Sequence, residues 1–157
     1  MLLAPVLVVA SVLLFKEGAS AAPGHSRAET LSRQYEDVAK AARQETKSFL
    51  TVDYKNMDPL IDKVLAGSTG KFKQDYSAQK SNLKAQAQRG QAVSTGKVLA
   101  VGVADIDDNH AVVFVAADSQ VTSKSSKGKA QPRYHRLKLT MTRVDDAWLT
   151  SDLQFVR

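Results

Sequence analysis

The sequence predicts an α+β domain, with three helices packed on one face of a curved four-stranded antiparallel sheet behind an apolar N-terminal segment. Three observations carry this. Up to about Arg89 the apolar residues recur at helical spacing, and from Ala92 onward the period shortens to that of strands. The chain has 157 residues, of which 43% are hydrophobic, enough for one domain with a real core and too few for two.

The first fifteen residues, MLLAPVLVVASVLLF, carry no charge and end at Lys16-Glu17. As a helix they would span about 22 Å, short of the roughly 30 Å hydrocarbon core. The run reads first as a membrane anchor made by Leu2, Leu3, Val6, Leu7, Val8, Val9, Val12, Leu13, Leu14 and Phe15. A cleaved signal is the alternative, because Ala19-Ser20-Ala21 offers a small-x-small cleavage site; a buried helix is the third reading. No Lys or Arg precedes the run, although a signal and the positive-inside rule both call for one, so a missing N-terminal piece is expected. The organisation that follows is residues 1–17 as a transmembrane anchor or signal segment, 18–25 as a linker, and 26–157 as an extracytoplasmic domain at the cell membrane.

Ser26-Arg27-Ala28-Glu29 fits a capping box, opening a helix from about Arg27 to Thr51. Leu31, Tyr35, Val38, Ala42 and Phe49 form its apolar stripe; Arg33, Glu36, Lys40, Arg43 and Lys47 occupy the opposite face. Asp58 as N-cap with Pro59 at the first position opens a short second helix, buried through Leu60, Ile61, Val64 and Leu65. Gly67 is placed to end it in a left-handed turn. Ser68 or Thr69 then caps a third helix carrying Phe72, Tyr76 and Leu83, with Gly70 tolerated in its first turn. The strands are GKVLAVGVADI, NHAVVFVAADSQV, YHRLKLTMTRV and AWLTSDLQFV, joined by turns at Asp107-Asp108-Asn109 and Asp145-Asp146 and by the basic loop TSKSSKGKAQP. Leu137, Leu139 and Met141 alternate with Arg136, Lys138 and Thr140, which leaves that strand one wet face.

The tests for chemistry exclude more than they select. AGSTGKFKQDY contains a Gly-Lys pair, but a P-loop needs glycine where Leu65 stands and Ser or Thr where Phe72 stands. Asp105, Asp107 and Asn109 match the start of an EF-hand loop; its glycine is replaced by His110 and its closing glutamate by Ala116, so the segment reads as an acidic turn. His25, His110 and His135 lack metal-ligand spacing and read as surface residues. There is no cysteine, which removes disulfides and thiol chemistry, and no G-x-S-x-G elbow. Two Asp-Tyr pairs, Asp53-Tyr54 and Asp75-Tyr76, offer a base and a phenol donor, against a reading in which each tyrosine packs while its aspartate faces solvent or caps backbone. The net charge of +6 gathers partly in Lys124, Lys127, Lys129, Arg133, Arg136 and Lys138, with only Tyr134 nearby for stacking. That composition describes a solvated hairpin tip and not a nucleic-acid surface. No catalytic residue, cofactor site or metal site is expected.

The order of these blocks resembles the Mce-associated membrane proteins of actinobacterial cell envelopes. Thr51, Asp53 and Tyr54 match that family's T-x-D-Y block; Ser68, Thr69, Gly70 and Phe72 match its S-T-G-x-F block, with Tyr76 just beyond. Tyr134 and Arg136 resemble its Y-x-R element, and Trp148-Leu149 with Ser151-Asp152 its closing strand. The resemblance implies a cystatin-like roll of the nuclear transport factor 2 superfamily, also used by a periplasmic subunit of type IV secretion systems. It further implies a non-enzymatic accessory subunit of an Mce lipid-import complex, whose partners are Mce transporter subunits or other envelope proteins. The signature residues would then be mainly structural, with Phe72, Tyr76 and Trp148 in the core. Two other functions stay open. One is a carrier of lipid or another small molecule in a cavity between sheet and helices, lined by residues such as Met141 and Phe114. The other is a small enzyme using an Asp-Tyr pair.

Overall fold

The computed structural model describes residues 23–157, with side chains from residue 26, so the expected anchor and most of the linker lie outside the described residues. Among the described residues no helix is long and apolar enough to cross a membrane. Four helices and five strands follow in the order α1 (Pro23–Leu50), β1 (Val52–Asp53), α2 (Met57–Ala66), α3 (Gly70–Ala78), α4 (Lys80–Gly90), β2 (Val93–Ile106), β3 (His110–Thr122), β4 (Gln131–Val144) and β5 (Ala147–Phe155). The sheet is an antiparallel meander, β1-β2-β3-β4-β5. Register shifts in β2 at Val98/Ala100 and Val103/Asp105, and in β5 at Ser151 opposite Thr140/Met141, bend it, because a bulge raises local twist.

Alternation along the long strands decides which face is dry. Ala111, Val113, Val115 and Ala117 of β3 and Leu137, Leu139 and Met141 of β4 are buried beneath α1, where they meet Val38, Ala42 and Leu50. Fully burying a side chain of this size contributes about 1.5–3 kcal/mol. Met57, Ile61 and Ala87 form a second, smaller cluster joining α2 to α4. The intervening residues of the sheet face away. Phe114 lies opposite Gly102 on β2 and Lys138 on β4 and is 44% exposed, so it does not line a cavity as expected. The pairing of Phe114 with Lys138 fixes its face, and a period-two strand cannot bury both Phe114 and Val113.

Several elements differ from expectation. The α1 helix is already formed at Ser26, so the capping box does not start it; Pro23 stands at the first position, where its missing N–H is harmless. The end of the expected linker, Pro23 to His25, is therefore helix. Leu31 and Tyr35 are exposed, because the stripe runs on past the part of α1 that touches the sheet. The N-cap of α2 is Asn56, one residue before the helix, and Asp58 instead takes the Lys84 ammonium of α4 at 2.7 and 2.9 Å. The expected third helix is two, meeting at Gln79. The α3 helix lies along β5 while α4 returns to α2, and one straight helix cannot reach both. The two-residue β1 went unforeseen; it pairs Val52 with Ser94 and Asp53 with Val93. Both hairpin turns stand as expected. Asp107 Oδ1 accepts from the N–H groups of Asn109 and His110 at 2.8 and 2.7 Å, which holds its carboxyl below the usual range. Asp145 and Asp146 take the left-handed backbone that a tight hairpin turn requires.

Gly96 of β2 lies where α1 ends. A Cβ there would stand 2.6 Å from Leu50 Cβ. Gly96→Ala should therefore push α1 off the sheet and lower stability by about 1–3 kcal/mol, read from the urea unfolding midpoint.

Candidate functional site

Three elements meet where the end of α2 crosses α1 and touches β5. Thr150 of β5 donates its N–H to Gly67 O at 2.9 Å and accepts the Thr69 N–H at 2.8 Å. Ser68, fully buried between them, forms a parallel bridge with Thr150 and donates its hydroxyl to Leu65 O at 3.2 Å. Thr69 is the N-cap of α3 without a side-chain cap bond, and Gly70 follows at φ +52°. Gly67 ends α2 at φ −86°, not in a left-handed turn. What favours glycine there is space: a Cβ would lie 2.0 Å from Glu45 Oε2 of α1.

Glu45 is the residue the sequence reading missed. It is 3% exposed, and its Oε1 has no hydrogen-bond partner. The adjacent Thr46 hydroxyl is buried and unpartnered as well. Burial pushes the Glu45 carboxyl up to about 8, so at neutral pH it mostly keeps its proton. The signal was available in the spacing, since Glu45 follows Val38 by seven residues and Ala42 by three, on the buried stripe.

Beside Glu45 lies a cavity of about 570 Å³, between α1, α2 and the start of β5. Leu60 and Ala66 of α2, Ala41 of α1, and Trp148 and Leu149 of β5 supply apolar wall. Gln44, Ser48 and Thr51 add polar groups, and Lys47 and Lys63 stand exposed at the rim. Tyr76 is close by on α3; burial first, and the Glu45 carboxyl second, raise its phenol. Its ring is 6.1 Å from Phe49 and 5.8 Å from Phe72, in a half-buried aromatic group that Phe155 joins through Phe49.

The residues singled out in the sequence are divided between this junction and other parts of the fold. Thr51 donates its hydroxyl to Lys47 O at 2.7 Å at the end of α1. Asp53 accepts the Lys55 N–H at 3.0 Å, and Tyr54 packs on the second cluster. Asp75 is exposed and paired with Lys71. Trp148 is buried, while Phe72 and Tyr76 are only half-buried. Asp53 and Tyr54 also border an open cleft beside the basic loop, with Lys55, Lys124 and Lys127. Tyr134, 80% exposed, and Arg136 lie on the outer face of β4. His135 departs from the surface reading: its Nε2 lies 2.9 Å from Ser119 Oγ, and desolvation lowers its pKa. Among the described residues no group of three or more His, Asp or Glu is placed to hold a metal ion.

Residues 2–157 match the family described as uncharacterized protein Rv1363c/MT1408-like. A curated relative, "Uncharacterized protein Rv1363c" of Mycobacterium tuberculosis, is 29% identical over 132 residues, which is 84% of this chain and 50% of the relative. The chain thus spans about half the length of the curated relative it matches. Among solved structures, CagV, a VirB8 homolog of the Helicobacter pylori type IV secretion system, superposes with a TM-score of 0.61 at 6% identity, covering 77% of this chain and 97% of CagV. An IcmL-like type IV secretion system protein of Legionella pneumophila gives 0.59 at 16%, covering 77% and 91%. A ketosteroid isomerase-like protein of Erwinia carotovora gives 0.52 at 15%, covering 76% and 92%. At these identities the likeness is one of fold.

Glu45 makes stability depend on pH with a definite sign. Between about pH 4.5 and about pH 8 the unfolded chain releases the Glu45 proton while the folded chain keeps it, so its contribution to stability falls as pH rises. The titratable groups facing it are Lys47 and Lys63 at the rim and Tyr76 behind. Glu45→Gln removes the titration. Its stability relative to wild type should grow across that window by up to roughly 5 kcal/mol. Urea midpoints of both proteins at about pH 5 and about pH 8 measure the gap; a constant gap would mean that Glu45 ionises normally in the fold.

Proposed function

We propose that this chain, which belongs to the Rv1363c/MT1408-like family, is a non-enzymatic, membrane-anchored accessory subunit that stabilises or assists an Mce-type lipid-import complex, with its folded domain outside the cytoplasm. The observation that carries the reading is the exposed apolar stripe of α1 at Leu31 and Tyr35. This helix has 28 residues, about 42 Å at 1.5 Å per residue, and only its second half is buried against the sheet. The apolar stripe continues beyond the sheet as Leu31, 47% exposed, and Tyr35, 39% exposed. Large apolar side chains one turn apart on a helix, with Arg33 and Glu36 on the opposite face, form a surface that gains from being covered by another protein.

Other features support the same reading. The apolar run Met1–Phe15 lies just upstream of α1 in sequence, which would set the Leu31–Tyr35 ridge near a membrane. The fold likeness to CagV and to the IcmL-like protein is to components of type IV secretion systems. The T-x-D-Y and S-T-G-x-F residues are engaged in turns and strand contacts, as expected of fold determinants. The resemblance to Mce-associated proteins supplies the particular partner.

The test uses the full-length protein with a C-terminal tag, extracted from its native membranes in mild detergent and read by mass spectrometry. Wild type should recover Mce subunits or their permease. A Leu31→Asp/Tyr35→Asp double variant should lose them by roughly fivefold or more, since buried apolar anchors dominate interfaces, while its membrane level and melting temperature stay unchanged. Recovery of the protein alone, under conditions in which known envelope complexes survive, would reject the reading.

A further inference from the structure

Glu45 is an unusual component of a cavity wall. An acid 3% exposed and lacking a partner leaves unmet hydrogen-bonding capacity inside the fold, where each unpaired polar group is destabilising. The neighbouring space of about 570 Å³ is many times the roughly 30 Å³ that one water occupies in the liquid, so it has room for an organic molecule. Its walls restrict what that molecule can be. Leu60, Ala66, Trp148 and Leu149 offer apolar surface to most of a ligand. The polar feature set deepest is the Glu45 carboxyl, and in its protonated form it has one O–H to donate. A cation would require Glu45 to ionise within its buried setting and would be repelled by Lys47 and Lys63 at the rim. An anion would be drawn to those two lysines, and so would be held at the mouth and not at Glu45.

We propose that the cavity between α1, α2 and β5 binds a compact apolar molecule bearing an uncharged oxygen acceptor, such as a ketone, which takes the Glu45 O–H while the body of the ligand lies against Trp148 and Leu149. The site is independent of the accessory role, because Leu31 and Tyr35 lie outside it. It also differs from the carrier cavity expected from sequence, since neither Phe114 nor Met141 lines it. A buried donor and an apolar wall give selectivity by head group, because a ligand without an acceptor leaves Glu45 unpaired and a charged head group loses its hydration on entering.

Trp148 is the only tryptophan in the chain and belongs to the cavity wall, so its fluorescence reports occupancy directly. The probe is 2-adamantanone, a compact ketone that accepts hydrogen bonds and donates none, titrated into the full chain held in amphipol. A saturable change in Trp148 emission is expected at about pH 6. Affinity should fall roughly tenfold or more at about pH 9.5, where Glu45 has lost its proton. Glu45→Gln, whose amide still donates, should bind with little pH dependence. Glu45→Leu should bind at least about fivefold more weakly at about pH 6, and Ala66→Leu, which narrows the cavity, should weaken binding at both pH values. Adamantane-1-carboxylate and 1-adamantanamine carry the same body with charged heads and should bind more weakly than the ketone. The proposal is overturned by an unsaturable response of wild type at about pH 6, by unchanged affinity in folded Glu45→Leu, or by preference for either charged probe. Melting curves establish that each variant is folded; if Glu45→Leu is not, the contrast in pH dependence between wild type and Glu45→Gln decides the matter.

Discussion

The two hydrogen bonds between Thr150 and the segment Gly67–Thr69 tie the turn between α2 and α3 to the edge of the sheet, beside the core that seats α1. β5 is an edge strand, and an exposed edge presents unpaired backbone groups that invite pairing with another chain. Here the turn between α2 and α3 meets that edge, with Ser68 bridging Thr150 in parallel. Three consequences follow from this one contact. It fixes the direction in which α3 leaves, along β5. It holds the strand that carries Trp148 in the core. It also brings the end of α2 so near α1 that Gly67 faces the Glu45 carboxyl with no room for a side chain.

That last consequence joins stability to function. A leucine at position 45 would suit a buried stripe that already contains Val38, Ala42 and Leu50, and it would avoid the penalty of enclosing an unpaired acid. The chain carries glutamate instead, beside a cavity and without a partner. A local violation of folding rules in an otherwise consistent structure is where a functional constraint is most economically sought. Here the violation has a direction, since burial favours the uncharged acid and so equips the site with a donor. Among the described residues, the surface carboxylates Asp58, Asp62, Asp75 and Asp146 show the ordinary alternative, in which lysine or arginine and solvent share the charge.

Much of the fold was legible because it rests on periodicity. Val113, Val115, Leu137, Leu139 and Met141 lie on the dry face that alternation requires, and the two aspartate-rich segments make the turns their chemistry favours. What stayed hidden depends on contacts between elements distant in sequence. The division of α3 from α4 at Gln79 is marked by neither proline nor glycine; it comes from two docking partners that lie in different directions. β1 has two residues, too few to show a period, and exists because Ser94 and Val93 are there to pair with. Gly67 was read as a helix terminator by local rules, and it does end α2, but its backbone is one that any residue could adopt. The reason for glycine lies 22 positions earlier, in Glu45. Glu45 itself was overlooked because a glutamate on a charged helix is read as surface by residue type, although its spacing from Val38 and Ala42 sets it on the buried stripe.

The residues that carry the family resemblance and those that shape the cavity overlap. Thr51 and Trp148 line it directly, and Gly67 immediately precedes Ser68-Thr69-Gly70. These same residues close α1, stitch α2 to β5 and fill the core. A substitution at any of them would therefore disturb packing and cavity together, and a loss of function there could not distinguish a fold determinant from a binding residue. Glu45 differs, because its carboxyl makes no hydrogen bond that the fold depends on. Replacing it with glutamine keeps its volume and alters only its charge and proton inventory. The two possible roles separate at this one side chain: if the cavity is only a by-product of packing α2 across α1, the buried acid serves nothing, whereas if the cavity is a site, the acid is its buried donor.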